Sequence, residues 1–547
     1  MGDSSHPASV NGTVEVVVDG GTVTGRIFGC NNAAGAPQST VKVDINGTDS
    51  PESGFALAAV YGGGNEAAYG GTPVVTIHNC DNSIDYVYGG SNAASVAATD
   101  VTIYGGESIG TVFGGGNGQV RPANVTDSTN VKIYGGIIGR VFGGSNSQGT
   151  IGGQINVNIN KQTETGHSSC LMRIGEVYGG GNLAASNAGN VTIGCTGDDL
   201  VNEGIGDVYG GANQANITGN IKLNISGGII KRVFGGNNTS GEISGKIIVN
   251  VDWSGGCTNS LDYVYGGGNQ AYYKPTTPGN YPEVNIIRAT VNHDVFGGGL
   301  GATAKVYSNP KVTIGDIASG HENYEAIVLG SVYGGGSAAM VGDTVQATAS
   351  TNNTTVTIQN SKSKVGQVFG GGQAAGVTGT TTVTIDAGLV KSGVYGGCDS
   401  EGTVGGNISV YLNGGTVGAA DSRADVFGGG LGSATATGGH IGVTLGATTV
   451  YGDIYGGSAL GQVNGSTSHT TNLTINGTAL HGTVYGGGKG SNEGVGTKAI
   501  SNGNVILNYN AVNTGLIDGI YGGAHLNGNG KGNIQVFILA NVGATGN

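Results

Sequence analysis

The chain has 547 residues, of which 114 are glycine, and only 10% of its residues are charged. Its net charge is −13, and its 22 lysines and arginines are scattered along the sequence. Nucleic-acid binding needs a concentrated basic face, so this composition excludes that class of partner. No apolar run is long enough to span a bilayer and the N-terminus has no signal-peptide pattern, so we expect no membrane insertion.

One phrase recurs seventeen times: a β-branched residue, an aromatic residue and then glycine. Its mean spacing of about 31 residues indicates a repeat architecture, in which each unit buries its apolar side against its neighbours. The aromatic residues stand at positions 28, 61, 88, 113, 142, 178, 209, 234, 265, 296, 333, 369, 395, 427, 455, 485 and 521.

Each repeat contains two clear strand patterns and a weaker third. Val131-Lys132-Ile133 shows the period-2 alternation of a half-buried strand, and Gly135-Gly136 supplies a turn. The second strand ends at Val141-Phe142, where the following glycines mark a tight corner. A shorter piece follows such glycines, as in Ala215-Asn216-Ile217-Thr218-Gly219. No segment has a 3.6-residue apolar period, so we expect no helices.

These elements predict an all-β fold, a single elongated parallel β-solenoid (β-helix) of about 17 coils with a mean repeat of about 31 residues. A β-propeller is the alternative architecture. Its blades need four strands and about 40–50 residues each, which is more than one repeat provides.

We expect one continuous domain over residues 1–547, because the repeat runs through the chain without a break. The strand pattern already begins at Val14–Val18 and is still present at Ile534–Ile538. Solenoids need polar end caps and neither end has one, so we expect a piece of a longer protein. Copies of the chain could then associate end to end through unpaired strand edges.

The position four residues after the aromatic is asparagine in nine consecutive repeats. Stacked asparagine amides can hydrogen-bond along a parallel stack, so a structural ladder is favoured over a row of ligand-binding residues. After about residue 290 the position changes to other residue types, beginning with Leu300, which marks a possible subdivision. The asparagines are Asn32, Asn65, Asn92, Asn117, Asn146, Asn182, Asn213, Asn238 and Asn269.

Strand alternation predicts that the residue before the aromatic faces inward and that the aromatic faces outward. An exposed aromatic stripe would be a binding or assembly surface. A stacking ladder is the other interpretation, and the free exchange of Tyr and Phe favours it. In the first half of the chain these residues are Tyr61, Tyr88, Phe113, Phe142, Tyr178, Tyr209, Phe234 and Tyr265.

The position two residues before the aromatic often carries a charge, which we expect to face water. The charged residues there are Arg26, Arg140, Glu176, Asp207, Arg232, Asp294, Asp425 and Asp453.

Six cysteines are scattered with no paired spacing, at positions 30, 80, 170, 195, 257 and 398. Small buried residues are the favoured interpretation, and a disulfide between neighbouring coils, for instance Cys170 with Cys195, is the alternative. The spacing argues against metal sites.

No Ser-His-Asp set, phosphate-binding loop or His-Glu-x-x-His motif occurs, so we expect no catalytic residue, metal or cofactor. The best acid/base candidates are Asp294 beside His293 and Glu322 beside His321. Ordinary surface residues explain both pairs.

The phrase Val-Tyr-Gly-Gly-Gly-Asn, as at Val60–Asn65, with Val-Thr-Ile segments between copies, resembles the glycine-rich β-strand repeats of very large surface proteins of gut-type bacteria. The resemblance implies an adhesin-like parallel β-solenoid with an extracellular, structural or adhesive role and no catalytic residue. Surface glycans or copies of the chain itself would be its partners. A polysaccharide-active enzyme and a carbohydrate-binding or phage-fibre module are the alternatives.

Overall fold

The computed structural model describes residues 7–51, 53–161, 170–254, 256–343, 352–477, 479–492, 498–510 and 517–540. These residues form strands, turns and loops with no helix. The predicted fold class is confirmed: the chain is a parallel β-solenoid of about 16 coils with a repeat of about 30 residues.

Contacts divide the chain into two compact units. The first comprises Met1–Leu261 with Pro275–Thr277, and the second comprises Asp262–Lys274 with Pro278–Asn547. The expectation of one continuous domain stays a prediction.

The first face of each coil is a short strand whose side chains alternate between interior and solvent. In Val41–Ile45 the three aliphatic residues are fully buried, while Lys42 is exposed. Each such strand pairs in parallel and in register with its equivalent one coil later, so that Val43 meets Val75 and Val75 meets Val101. This register stacks identical aliphatic side chains into continuous interior rows.

The second face ends at the aromatic phrase. Val60 pairs with Val87, and Val87 with Val112, and all three are completely buried. Val264 in the second unit is also completely buried. The prediction that this position faces the interior is confirmed.

The glycine after the aromatic is required by close packing. A Cβ on Gly62 would meet the carbonyl oxygen of Gly89, and it would lie 3.0 Å from both a Val75 methyl and Cβ of Pro73. Because these neighbours include backbone of the next coil, no larger residue fits without moving it.

The third face is short and holds isolated bridges. In the first unit, Tyr69 bridges to Val96, Val96 to Val125, and Val125 to Ile151. These residues join Val41 and Ile155 of the first face in one buried cluster, so that the first and third faces pack against each other.

The first-face strands of the first unit are Val14–Val18, Val41–Ile45, Pro73–Ile77, Thr99–Ile103, Thr129–Ile133, Ile155–Ile159, Gly189–Ile193, Ile221–Ile225 and Ile247–Asp252. Its second-face strands are Val23–Phe28, Leu57–Tyr61, Ser83–Tyr88, Ser108–Phe113, Gly136–Phe142, Met172–Tyr178, Gly204–Tyr209 and Ile229–Phe234. Ser260–Tyr265 holds residues of both units.

The first-face strands of the second unit are Pro282–Val291, Lys311–Ile314, Thr354–Ile358, Thr381–Ile385, Ile408–Leu412, Ile441–Leu445, Thr470–Ile475, Asn504–Tyr509 and Ile534–Ile538, of which Pro282–Val291 continues into the second face. Its other second-face strands are Val295–Phe296, Ala326–Tyr333, Lys364–Phe369, Leu389–Tyr395, Thr416–Val417, Val426–Phe427, Thr449–Val450, Ile454–Tyr455, Ala479–Leu480, Thr483–Tyr485 and Gly519–Tyr521. Its third-face strands are Glu401–Val404, Ala434–Thr437, Lys498–Ser501 and Gly528–Gly530.

Candidate functional site

The aromatic residues of the repeated phrase form a stack of nearly parallel rings. In the first unit the Phe113 and Phe142 centroids are 4.9 Å apart, with an angle of 8° between the ring planes. In the second unit the Tyr265 and Phe296 centroids are 4.8 Å apart, with an angle of 1°. Offset stacking of this kind stabilises a ladder without using the hydroxyl groups.

The interpretation of these rings as an exposed stripe is wrong, and the stacking ladder that the exchange of Tyr and Phe favoured is confirmed. The eight that the sequence singled out, Tyr61, Tyr88, Phe113, Phe142, Tyr178, Tyr209, Phe234 and Tyr265, are all at most 4% exposed. A Cβ on Gly62 would point toward Val75 in the core. Because side chains alternate along a strand, the Tyr61 ring points away from the core. The chain after the glycine corner folds over the ring, and the Tyr61 hydroxyl hydrogen-bonds Oδ1 of Asn92 at 3.4 Å.

The asparagines after the corner form a continuous chain of side-chain hydrogen bonds in the first unit. Each amide nitrogen donates to the amide oxygen of the preceding coil, at 2.9 Å from Asn117 to Asn92 and 2.9 Å from Asn146 to Asn117. The same contact joins Asn65 to Asn32, Asn92 to Asn65, Asn182 to Asn146, Asn213 to Asn182 and Asn238 to Asn213. Asn269 belongs to the second unit, where Gly301 N–H donates to its carbonyl oxygen.

Charged residues two positions before the aromatic do not all face water, contrary to expectation. Asp207 is 9% exposed, because it lies beside the aromatic stack and is paired with Arg232. Arg232 Nε donates to Asp207 Oδ1 at 2.7 Å. Arg26 and Arg140 are exposed as expected.

The tyrosine hydroxyls therefore lie between two rows of side chains. One row consists of the residues two positions before each repeated aromatic, and the other consists of the residues four positions after each repeated aromatic. We call this line the hydroxyl seam. The Tyr178 hydroxyl donates to Glu176 at 3.0 Å and accepts from Asn238 at 2.9 Å. Burial raises the pKa of Tyr61 to about 12 and raises the pKa of Tyr178. These phenols are neutral at physiological pH and act as structural hydrogen-bonding groups.

The hydroxyl seam of the second unit brings together carboxyl groups that sequence reasoning did not connect. The Tyr333 hydroxyl donates to Asp399 at 2.9 Å, and the Ser331 N–H donates to Asp294 at 2.7 Å. Burial raises the pKa of Asp294, and burial followed by the charge of Asp294 raises that of Asp399. His293 instead stacks on Tyr263 with centroids 4.7 Å apart.

Glu322 and His321 lie in an exposed loop and are held by local contacts. His321 Nδ1 is 2.9 Å from Asp316, and its ring stacks on Tyr324. Glu322 accepts the Gly320 N–H at 3.1 Å, and backbone hydrogen bonds lower the pKa of Glu322. A low pKa suits a turn-stabilising carboxylate better than a general acid.

A cavity of about 390 Å³ adjoins the hydroxyl seam of the second unit. Tyr395 and Leu431 line it together with an ion pair in which Lys489 Nζ lies 2.8 Å from Asp425 Oδ2. The Tyr395 side chain is 6% exposed, and its hydroxyl has no hydrogen-bond partner among the residues that the structure describes.

The missing partner follows from three departures from the repeat. Tyr455 bonds the residue two positions before it, Asp453, but Tyr395 has Gly393 there. Tyr61 bonds the residue after the next corner, Asn92, but the corresponding residue for Tyr395 is Leu431. One coil later the position holds Ala459. Aligning the repeats of the chain with one another could have shown that Tyr395 lacks these polar partners. The cavity itself depends on the shapes of the surrounding side chains, which such an alignment does not contain.

Two disulfides occur in the first unit, Cys80–Cys170 and Cys195–Cys257. The suggested pairing of Cys170 with Cys195 is wrong, because Cys170 pairs with Cys80 and Cys195 pairs with Cys257, at sequence separations of 90 and 62 residues. Cys30 and Cys398 are free, and burial raises the pKa of both thiols to about 12. Among the described residues, no group of three or more His, Cys, Asp or Glu side chains could hold a metal ion.

The chain matches no protein-family model, no curated protein and no solved structure. Within the described part of the chain, no helix is long and apolar enough to cross a membrane.

Proposed function

We propose that this chain is an extracellular or cell-surface repeat protein with a structural or adhesive role. The observation that carries the proposal is the hydrogen-bonded asparagine ladder beside the buried ring stack. In both ladders the repeated side chain bonds or stacks on its own counterpart in the next coil, as with Asn117 and Asn92. Repeated residues of this kind support a scaffold role, because their polar and aromatic groups already bond or stack on each other within the chain.

The disulfides support the extracellular part of the proposal. Cys80–Cys170 closes a loop with a sequence separation of 90 residues and Cys195–Cys257 one of 62. Disulfides persist in oxidising compartments and are rare where cellular thiol systems keep cysteines reduced.

Antibodies raised against the purified chain test the location on cells of the source organism. We expect them to label intact cells or to detect the protein in the medium. Labelling that appears only after the cells are permeabilised would contradict the proposal. An antibody against a cytoplasmic protein is the control for cell integrity.

A polysaccharide-active enzyme is a second candidate, favoured by one observation. Asp294 and Asp399 interact across Tyr333, and a raised carboxyl pKa is what a general acid requires. The test is release of reducing ends from a panel of neutral and acidic polysaccharides. Activity lost in both Asp294→Asn and Asp399→Asn would favour the enzyme, and activity unchanged in both would remove these residues from consideration.

A further inference from the structure

We propose that the cavity beside Tyr395 in the second unit binds one neutral sugar residue. The inference deepens the adhesive part of the proposed function by naming a ligand class and a place for it. It rests on three features of the cavity, namely a tyrosine hydroxyl without a protein partner, an apolar wall and a self-neutralised charge pair.

The first feature is the hydroxyl of Tyr395. Tyr395 is more than nine-tenths buried and lines the cavity, and its hydroxyl has no partner within the described ranges. A hydroxyl at the wall of a cavity that bonds no protein group is free to donate to and accept from a ligand. A ligand hydroxyl that both donates and accepts would satisfy it.

The second feature is the apolar part of the lining. Leu431, Leu460 and Leu526 line the cavity together with Phe427. Small-molecule sites combine such walls with a few converging polar groups in volumes of about 300–1,000 Å³. A pyranose ring has this dual character, because it presents C–H groups on its face and hydroxyls around its edge.

The third feature selects against a charged ligand. The Lys489 ammonium is bonded to Asp425, so the two charges in the cavity compensate each other. An anion would have to draw Lys489 away, and a cation would have to draw Asp425 away, and either exchange leaves a partly buried charge unpaired. Neutral hydroxyls can use the remaining donors of Lys489 without breaking the pair.

The experiment uses the full chain and a panel of methyl glycosides of glucose, galactose, mannose, fucose and N-acetylglucosamine, with glucuronate and glucosamine as charged comparison ligands. Saturation-transfer NMR identifies binders, and calorimetric titration gives their affinity. We expect at least one methyl glycoside to bind and Tyr395→Phe to weaken its binding by about tenfold, the effect of losing one hydrogen bond. Phe occupies the same position in the adjacent coils, at Phe369 and Phe427, so the variant should fold.

Tyr88→Phe is the matched control, because its hydroxyl bonds Asn117 in the first unit and lies outside the cavity. The Tyr88→Phe variant should bind the methyl glycoside with the same affinity as the unmodified chain. Leu431→Asn gives the hydroxyl of Tyr395 an intramolecular partner, as Asn92 does for Tyr61, and should abolish binding while the protein stays folded. Comparison of methyl glycosides with the free reducing sugars distinguishes a terminal glycan residue from a free monosaccharide.

The inference is overturned if no glycoside binds, if Tyr395→Phe binds as well as the unmodified chain, or if glucuronate or glucosamine binds more tightly than every neutral sugar. Each of these results leaves the cellular location untouched. Failure of the sugar site is therefore distinguishable from failure of the proposed function, which the antibody labelling measures.

Discussion

The hydroxyl of Tyr333 donates a hydrogen bond of 2.9 Å to Asp399, which lies two coils further along the second unit. Burial, followed by the charge of Asp294, raises the pKa of Asp399, and burial raises that of Asp294. An acid with a raised folded pKa binds more protons when folded than when unfolded. Its contribution to stability therefore falls as the pH rises from the unfolded pKa of about 3.9 through the folded pKa.

Asp294→Asn should therefore stabilise the second unit at pH 7. The asparagine oxygen still accepts the Ser331 N–H, and the unfavourable charge is gone. We expect the thermal midpoint to rise by about 1–3 °C at pH 7 and to be unchanged near pH 3, where the native aspartate is protonated. Thermal melts between pH 3 and 8 measure this, with the exposed Glu401→Gln as control. A lower midpoint at pH 7 would contradict the account.

The asparagine ladder should stabilise the first unit. Asn117 bonds both Asn92 and Asn146, and its loss removes the acceptor of the Asn146 amide and of the Tyr88 hydroxyl, both of which are buried. We expect Asn117→Ala to lower the free energy of unfolding by about 2 kcal/mol. Urea denaturation measures the change, and Asn158→Ala on the exposed side of a first-face strand is the control. Equal midpoints for the two variants would count against a structural ladder.

The glycine after the aromatic should tolerate no side chain. A methyl group on Gly62 meets backbone of the next coil, whereas one on Gly70 meets nothing within 4 Å. Gly62→Ala should cost about 2 kcal/mol of unfolding free energy and Gly70→Ala almost none. Chemical denaturation of both variants in parallel tests this. Similar costs at the two positions would show that the corner is less closely packed than described.

The disulfides should stabilise the first unit selectively, since all four cysteines lie within it. Removing either bond should cost about 4–5 kcal/mol for loops of this length. Peptide mapping without reductant should recover Cys80 linked to Cys170. Addition of reductant should lower the melting temperature of the first unit. Recovery of free Cys80, or an equal effect on the second unit, would contradict this assignment. Cys30→Ser, at a cysteine without a disulfide, is the control.

Much of the fold could be predicted because each repeat contains the same local pattern of alternating apolar and polar residues. Alternation located the strand at Val131–Ile133 and the inward position of Val264, since strand geometry alone determines both. The burial of Tyr61 could not be deduced in this way, because the covering residue comes from the next coil. The disulfide partners escaped prediction for a similar reason, since the loops decide which cysteines meet across several coils.

The candidate site had a partial signal in the sequence. Aligning the repeats reveals Gly393 and Leu431 where other coils carry polar residues, and this marks Tyr395 as unusual. The sequence alone does not show that these two positions flank the Tyr395 ring. That relationship is visible only once the chain after the glycine corner is seen to fold over the aromatic stack.

Tyrosine nitration in the folded chain tests most directly the central claim, that the repeated aromatics from Tyr61 to Tyr485 are buried scaffold residues. Tetranitromethane reacts with accessible phenolates, and both burial and a raised pKa protect a ring. Mass spectrometry should find Tyr411 and Tyr521 nitrated, since they are 40% and 55% exposed, while Tyr88 and Tyr178 stay unmodified until the protein is denatured. Nitration of Tyr88 and Tyr178 at the rate of Tyr411 under native conditions would contradict the buried stack.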